Sequence, residues 1–185
     1  KVIDLEYRYE NLKVLSKLSL KLNRGDHILI HGPSGCGKTT LVNLMAGLLR
    51  PPAGSIFFEN QDINSMSEEQ LDNLRAKNFG FIFQRLHLIG HLNVEQNILI
   101  SCFNQDFQKI NNLINDLGLS GKNKKKVRDL SIGEAQRVAI ARGVINNPKV
   151  IVADEPTSAL DGTNAENVID LLFLQTKKNN STLIV

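Results

Sequence analysis

The sequence predicts an α/β fold: a mostly parallel sheet, an N-terminal antiparallel β subdomain, and an inserted helical subdomain. Three observations carry that expectation. His27-Ile28-Leu29-Ile30, Phe79-Gly80-Phe81-Ile82-Phe83, Val150-Ile151-Val152-Ala153 and Thr182-Leu183-Ile184-Val185 read as buried strands between helical stretches, the pattern of a parallel sheet. Ile3 and Leu5, then Leu18, Leu20 and Leu22, alternate with polar residues, as antiparallel strands with one solvated face do. Across residues 85–129 strand signals fade, and Ile110, Leu113, Ile114 and Leu117 form one helical stripe that Gly118 ends.

Composition sets the bounds. At 185 residues the chain fits one domain with a sizeable core, and 42% hydrophobic with 22% charged residues is ordinary for a soluble globular protein. A net charge of +3 is too small to argue for nucleic acid. No run approaches the roughly eighteen apolar residues of a membrane span, and the first residues do not read as a signal peptide. Cys36 and Cys102 make no disulfide framework and fit a reducing cytosolic compartment.

In chain order, Tyr7 and Tyr9 sit among the first strands; an aromatic there can stack on a purine or simply pack on a sheet edge. Asn23-Arg24-Gly25-Asp26 turns into the strand at 27–30. Then comes Gly32-Pro33-Ser34-Gly35-Cys36-Gly37-Lys38-Thr39-Thr40: Gly, four residues, Gly-Lys-Thr. Such a loop turns backbone N–H groups toward one point at a helix N-terminus, and its glycines let the backbone approach phosphate. Lys38 would neutralise β/γ oxygens and the Thr39 hydroxyl would ligate Mg²⁺. A strand before it and the stripe Leu41, Leu44, Met45, Leu48 after it make this a P-loop NTPase core that binds a nucleoside triphosphate.

Arg50-Pro51-Pro52-Ala53-Gly54 ends that helix, Ile56-Phe57-Phe58 is a further strand, and Ser67 with Gln70 caps a helix toward Arg75. Gln84 ends the strand at 79–83, where an amide can reach Mg²⁺ or the attacking water or merely close the strand. Lys122-Asn123-Lys124-Lys125-Lys126 reads as a solvated basic loop. In Leu130-Ser131-Ile132-Gly133-Glu134, Ser131 and Glu134 have capping-box spacing for a helix to about Asn146, with Arg137 and Arg142 exposed. Its start is either a plain cap or a second anion site offering the Ser131 hydroxyl and the Gly133 N–H. Asp154 and Glu155 end the strand at 150–153; two adjacent acids there need a cation, with Asp154 toward the metal and Glu155 toward water. A loop from Ser158 to Gly162 leads to a helix marked by Ala165, Val168, Ile169 and Leu172.

Together these residues resemble the nucleotide-binding subunit of ATP-binding-cassette (ABC) transporters along the whole chain. The Leu-Ser-x-Gly-Glu stretch, directly upstream of the helix leading to Val150–Glu155, distinguishes it from other P-loop families. The resemblance implies an ATPase, with Mg²⁺, in which Tyr9 stacks on adenine and residues 32–40 are the Walker A loop. Gln84 is then the Q-loop glutamine, Ser131 to Glu134 the signature, Asp154 the Walker B acid, Glu155 the catalytic base, and Ser158 to Asp161 the D-loop. Ser131 and Gly133 would face the nucleotide of a second copy or a paired ABC half. Residues 1–84 and 130–185 are expected to form the ATP-binding core and 85–129 the helical subdomain. Residues 74–84 and 92–97 resemble the lipoprotein-release, macrolide-export and cell-division branch, in which a membrane-spanning permease would dock near residues 85–103. The implied location is cytoplasmic, peripheral on the inner face of the cell membrane.

Two departures stand out. Ile132 replaces the first of the usual paired signature glycines, and the expectation is that its side chain points away from phosphate. The family also places a γ-phosphate-contacting histidine just beyond the last strand; His27, His31, His87 and His91 do not match it, so the C-terminal end of the domain is expected to lie beyond Val185. Such a shortened chain would bind nucleotide and hydrolyse it poorly. The alternative class is a soluble ABC ATPase acting on nucleic acid, the ribosome or an assembly scaffold. Only a compact segment separates the two motifs, which argues against the repair-type members, and no nucleic-acid partner is expected.

Overall fold

A computed structural model describes residues 1–10, 12–158 and 160–185. Two four-stranded sheets organise them. In the first, β2 (Leu12–Leu20), β1 (Val2–Tyr9), β4 (Ala53–Phe58) and β5 (Gln61–Asp62) pair antiparallel in that order. In the second, β3 (His27–Ile28), β8 (Thr182–Ile184), β7 (Val150–Ala153) and β6 (Phe79–Ile82) run parallel. The registers Ile82↔Ala153 and Val152↔Ile184 bring the carboxyl ends of the strands to one edge. That edge is where ligands meet parallel α/β sheets.

Local chemistry departs from simple periodicity in four places. Strict alternation puts Ile3 and Leu5 on one face, yet Val2 and Leu5 enter the core. Asp4 between them has φ 44° and the β1–β2 register breaks there, so a bulge resets the face. The expected strand at 27–30 is regular only over His27–Ile28, although Ile30 N–H still donates to Val185 O at 2.7 Å. It is not buried: β3 borders its sheet among the described residues, and Leu29 is 74% exposed. The run at 79–83 alternates instead of being buried throughout. Gly80 and Ile82 face inward, while Phe79, Phe81 and Phe83 stack on the other face with ring centroids 6.0 and 5.7 Å apart. Finally, α1 (Lys38–Met45) stops at Ala46 and a left-handed Gly47 (φ 66°), so Leu48 leaves the predicted stripe and is exposed.

The other helices are α2 (Glu68–Asn78), α3 (Val94–Leu99), α4 (Phe107–Asp116), α5 (Ile132–Val144) and α6 (Gly162–Asn179). Each begins on a side-chain cap: Ser67, Asn93, Asp106, Ser131 and Asp161 respectively. Ile110, Leu113, Ile114 and Leu117 are buried as their spacing predicts. They join one core with α3, α5, α6 and the parallel sheet. A second core unites Leu41 and Leu44 of α1 with Val2, Leu5 and Ile56 of the antiparallel sheet. That packing fixes α1 relative to the antiparallel sheet. Among the described residues no helix is long and apolar enough to cross a membrane.

α5 lies so close to β6 that a Cβ on Gly80 would collide with the Gly143 carbonyl. Only glycine permits this approach. Gly80→Ala is expected to destabilise by at least ~2 kcal/mol in urea unfolding, as overpacking against backbone does. Gly162→Ala, where a Cβ meets open space, is expected to stay within about 1 kcal/mol of the parent.

Candidate nucleotide site

The start of α1 is the exception among the helices. Its N-cap is Gly37, in left-handed conformation at φ 99°, and no side chain caps it. The first N–H groups of the helix are therefore left for an anion to satisfy. Gly37 is required twice over, since a Cβ there would also lie 2.6 Å from Val14 Cγ1 of β2. Gly35 is likewise left-handed (φ 81°), and the Cys36 N–H donates to Pro33 O at 3.3 Å. Lys38 folds its ammonium across the loop, donating to Gly32 O at 2.8 Å and Pro33 O at 3.1 Å. Thr39 is exposed, whereas Thr40 is buried. Ser34 is exposed beside them.

The ends of β6 and β7 supply the acids and the amide. The Asp154 N–H donates to Ile82 O at 2.9 Å, which locks these two strand ends together. Glu155 has φ 46°, a conformation uncommon for a non-glycine residue. Its carboxylate Oε2 accepts from Gln84 Nε2 at 3.0 Å, while its carbonyl accepts from the Ser158 N–H at 3.2 Å and Oγ–H at 3.1 Å. A cleft of ≈ 320 Å³ lies here, lined by Gly32, Lys38, Asp154, Glu155 and Ser158, and also by His31, which sequence reasoning did not single out. Its signal was adjacency alone, one residue ahead of Gly32.

The electrostatics of this cleft call for a cation. Burial, and then the neighbouring Glu155 carboxylate, push the Asp154 carboxyl above its ordinary range, against an opposing pull from Lys38. Among the described residues no cluster of three or more His, Cys, Asp or Glu could chelate an ion unaided. The donor set suits Mg²⁺, which keeps waters and takes one or two carboxylates plus phosphate oxygens.

Tyr9 is 48% exposed at the end of β1, edge-on to Tyr7 with centroids 5.0 Å apart. On the neighbouring strand β2, Val14 and Leu15 lie against the Gly37 position, and the register pairs Leu15 with Tyr7 and Leu12 with Tyr9. The Ser131 stretch lies elsewhere. Ser131 and Glu134 form the predicted capping box at the start of α5, with Ser131 N–H to Glu134 Oε2 at 3.0 Å and Glu134 N–H to Ser131 Oγ at 3.3 Å. Ile132 is 62% exposed and Gly133 half-buried, and neither lines the cleft. The D-loop stretch contains Ala159, outside the described residues, and ends on Asp161, which caps α6.

Two expectations are corrected here. Arg137 and Arg142 are half-buried rather than exposed: α5 sinks into the core, and Arg142 donates to His87 O at 2.7 Å. The basic run is not simply solvated either. Lys122 and Lys125 pair with Glu134, and Lys124 pairs with Glu95 at 2.8 Å. Only the fold brings these charges together, since nothing in helical or strand periodicity links residue 122 to residue 134.

The raised folded-state pKa of Asp154 sets a signed pH effect. Its contribution to stability is fully present below the unfolded carboxyl value and is lost as pH rises through the raised folded value. At neutral pH the nucleotide-free chain therefore carries a charge that it disfavours. Asp154→Asn is expected to raise the thermal midpoint at pH 7 while weakening Mg-ATP binding, with the stability gain vanishing near pH 4 in calorimetry.

The family model described as "ABC transporter" matches residues 15–158. The lipoprotein-releasing system ATP-binding protein LolD of Buchnera aphidicola is 42% identical over 183 residues, covering 95% of this chain and 80% of that protein. The macrolide export ATP-binding/permease protein MacB of Vibrio parahaemolyticus is 38% identical over 182 residues; the match covers 93% of this chain but only 28% of the longer MacB. The dimeric bacterial ABC transporter cassette MJ0796 superposes with a TM-score of 0.86 at 28% identity, covering 100% of this chain and 86% of that one. A post-hydrolysis dimer of the same cassette, bound to ADP and Pi, gives 0.84. The chain belongs to the ABC transporter family, as an ATP-binding and ATP-hydrolysing subunit.

Proposed function

We propose that the chain powers a membrane transporter or force-transmitting complex, two copies closing on two ATP molecules between them. One observation carries this reading: the uncapped N-terminus of α1 converges with Lys38, Asp154, Glu155 and Gln84, while the Ser131/Gly133 terminus of α5 sits apart and outward. A second copy, or a paired ABC half, brings such a terminus to the phosphates from the other side. The dimeric state of the structural relatives supports it.

In this reading residues 32–40 wrap the phosphates with backbone N–H groups, and Tyr9 takes the adenine face. Thr39, Gln84 and Asp154 would hold Mg²⁺, which supplies charge neutralisation at the β- and γ-oxygens when bound. Lys38 releases the Gly32 and Pro33 carbonyls and turns to the γ-phosphate. Gln84 orients the Glu155 carboxylate, which accepts a proton from the attacking water. Ser131 and the Gly133 N–H complete the anion shell, with the exposed Ile132 side chain turned aside. Phosphoryl transfer needs little more than such positioning.

The permease is proposed to dock on the exposed aromatic groove beside α3. Phe83, Phe103 and Arg142 line it, and Phe103 is more than half exposed. In this reading the subunit sits at the inner face of the cell membrane, with residues 85–129 as the helical subdomain that would read the partner. The lipoprotein-release and macrolide-export relatives support that class over a soluble ATPase.

Glu155→Gln is expected to lower hydrolysis by about 10²-fold or more, the scale of losing a general base, yet to retain ATP. In sedimentation velocity this variant should dimerise with Mg-ATP and stay monomeric without it. A chain that binds ATP yet stays monomeric would refute the two-copy arrangement. Phe103→Asp is expected to leave the isolated chain's ATPase activity within about twofold, because surface substitutions away from a site perturb little. On cell fractionation it should move from the membrane to the soluble fraction; an unsubstituted chain that is already soluble would favour the soluble class.

A further inference from the structure

The start of α5 carries an electrostatic contradiction. A helix N-terminus attracts anions, and in the reading above this one must receive a phosphate. Yet its own first turn holds a carboxylate, Glu134, whose Oε2 accepts from the Ser131 N–H at 3.0 Å. A fixed negative charge one turn from the phosphate position opposes the second anion.

The contradiction is resolved by residues from outside the helix. Lys122 Nζ pairs directly with Glu134 Oε1, and Lys125 Nζ lies 3.8 Å from Oε2. The Lys122 bond is the foremost cause holding the Glu134 carboxyl below its ordinary range, ahead of the Ser131 N–H. The neighbouring Arg128 and Asp129 offset each other at 3.7 Å. Two cations thus face one carboxylate, and the terminus keeps a positive balance.

The lysines are held rather than loosely tethered. The Val94 N–H donates to Lys125 O and the Glu95 N–H to Asn123 O, each at 3.1 Å, and Asn93 bridges Lys126. Lys124 adds its pair with Glu95. The basic loop is stitched to the start of α3 and from there reaches across to α5.

We propose that Lys122 and Lys125 are positioning residues that neutralise Glu134, so that the N-terminus of α5 can accept the phosphate of a second copy's ATP. This rests on the two-copy arrangement proposed above. The basic run is then part of the composite site, although it touches no nucleotide itself. Glutamine at 134 would keep the capping box, because Gln serves at that position as Glu does, while removing the charge. That makes charge separable from structure.

The test compares four chains in the Glu155→Gln background: the parent, Lys122→Met/Lys125→Met, Glu134→Gln, and the triple variant. Single-chain affinity is read with a fluorescent ATP analogue at low protein concentration, and ATP-driven association by sedimentation velocity. The double lysine variant is expected to keep its single-chain affinity within about twofold and to associate about tenfold more weakly, since both half-sites lose the helix-terminus balance. The triple variant is expected to regain parental association, and Glu134→Gln alone to match or exceed it. Unchanged association in the double variant overturns the inference while leaving the two-copy arrangement standing. A triple variant no better than the double, or a parallel loss of single-chain affinity, assigns the lysines a merely structural role and overturns it too. A parent that never associates removes the arrangement and the inference together.

Discussion

The structure depends on one unmet demand: among the described residues, no side chain caps the first N–H groups of α1. Every other α-helix closes its N-terminus with a side chain, from Ser67 to Asp161. At α1 a left-handed glycine stands instead, held against Val14. Leaving that terminus open has a stability cost of about 1 kcal/mol, the scale of a lost cap. The surroundings offset it: Leu41 and Leu44 lock α1 into the core of the antiparallel sheet. The antiparallel sheet is therefore more than an accessory to the nucleotide, because it holds an uncapped helix in place.

Sheet topology does the rest of the positioning. Parallel pairing of β6, β7 and β8 aligns their carboxyl ends, and the Asp154 N–H bond to Ile82 O ties two of those ends within one hydrogen bond. Gln84 and Glu155, 71 residues apart in the chain, meet at 3.0 Å because of that alignment. The close approach of α5 to β6 at Gly80 and Gly143 extends the same rigidity toward the helix that carries Ser131. The strand ends that carry Asp154 and the helix that carries Ser131 thus share one core, while α1 packs into the other.

Much of this was legible in the sequence where the chemistry is local. The loop at 32–40, the caps at Ser67 and Ser131, the stripe from Ile110 to Leu117 and the acids ending the strand at 150–153 follow from spacing alone. What escaped depends on contacts distant in sequence or on a single backbone torsion. The bulge at Asp4 swaps Ile3 for Val2 in the core, and no alternation pattern can foresee a φ of 44°. Leu29 is an apolar residue in an apolar run, yet its burial depends on which strand borders the sheet. The lysines at 122 and 125 resemble any solvated charge run until α3 and α5 set them against Glu134.

Charge balance unites the two faces. On the α1 side, one ammonium faces two carboxylates, Asp154 and Glu155, a net negative cleft that cannot by itself draw in a triphosphate. Backbone N–H groups and a divalent cation must reverse that field, which explains why the uncapped terminus and the acids occur together. On the α5 side, two ammonium groups face one carboxylate, leaving a positive balance at a helix N-terminus. Faces of opposite sign attract across an interface and fix its register. In the proposed arrangement the nucleotide enters the negative face with its metal and carries excess phosphate charge toward the positive one. Closure is then favoured by bound triphosphate, and loss of the γ-phosphate removes the charge that the α5 terminus is built to meet.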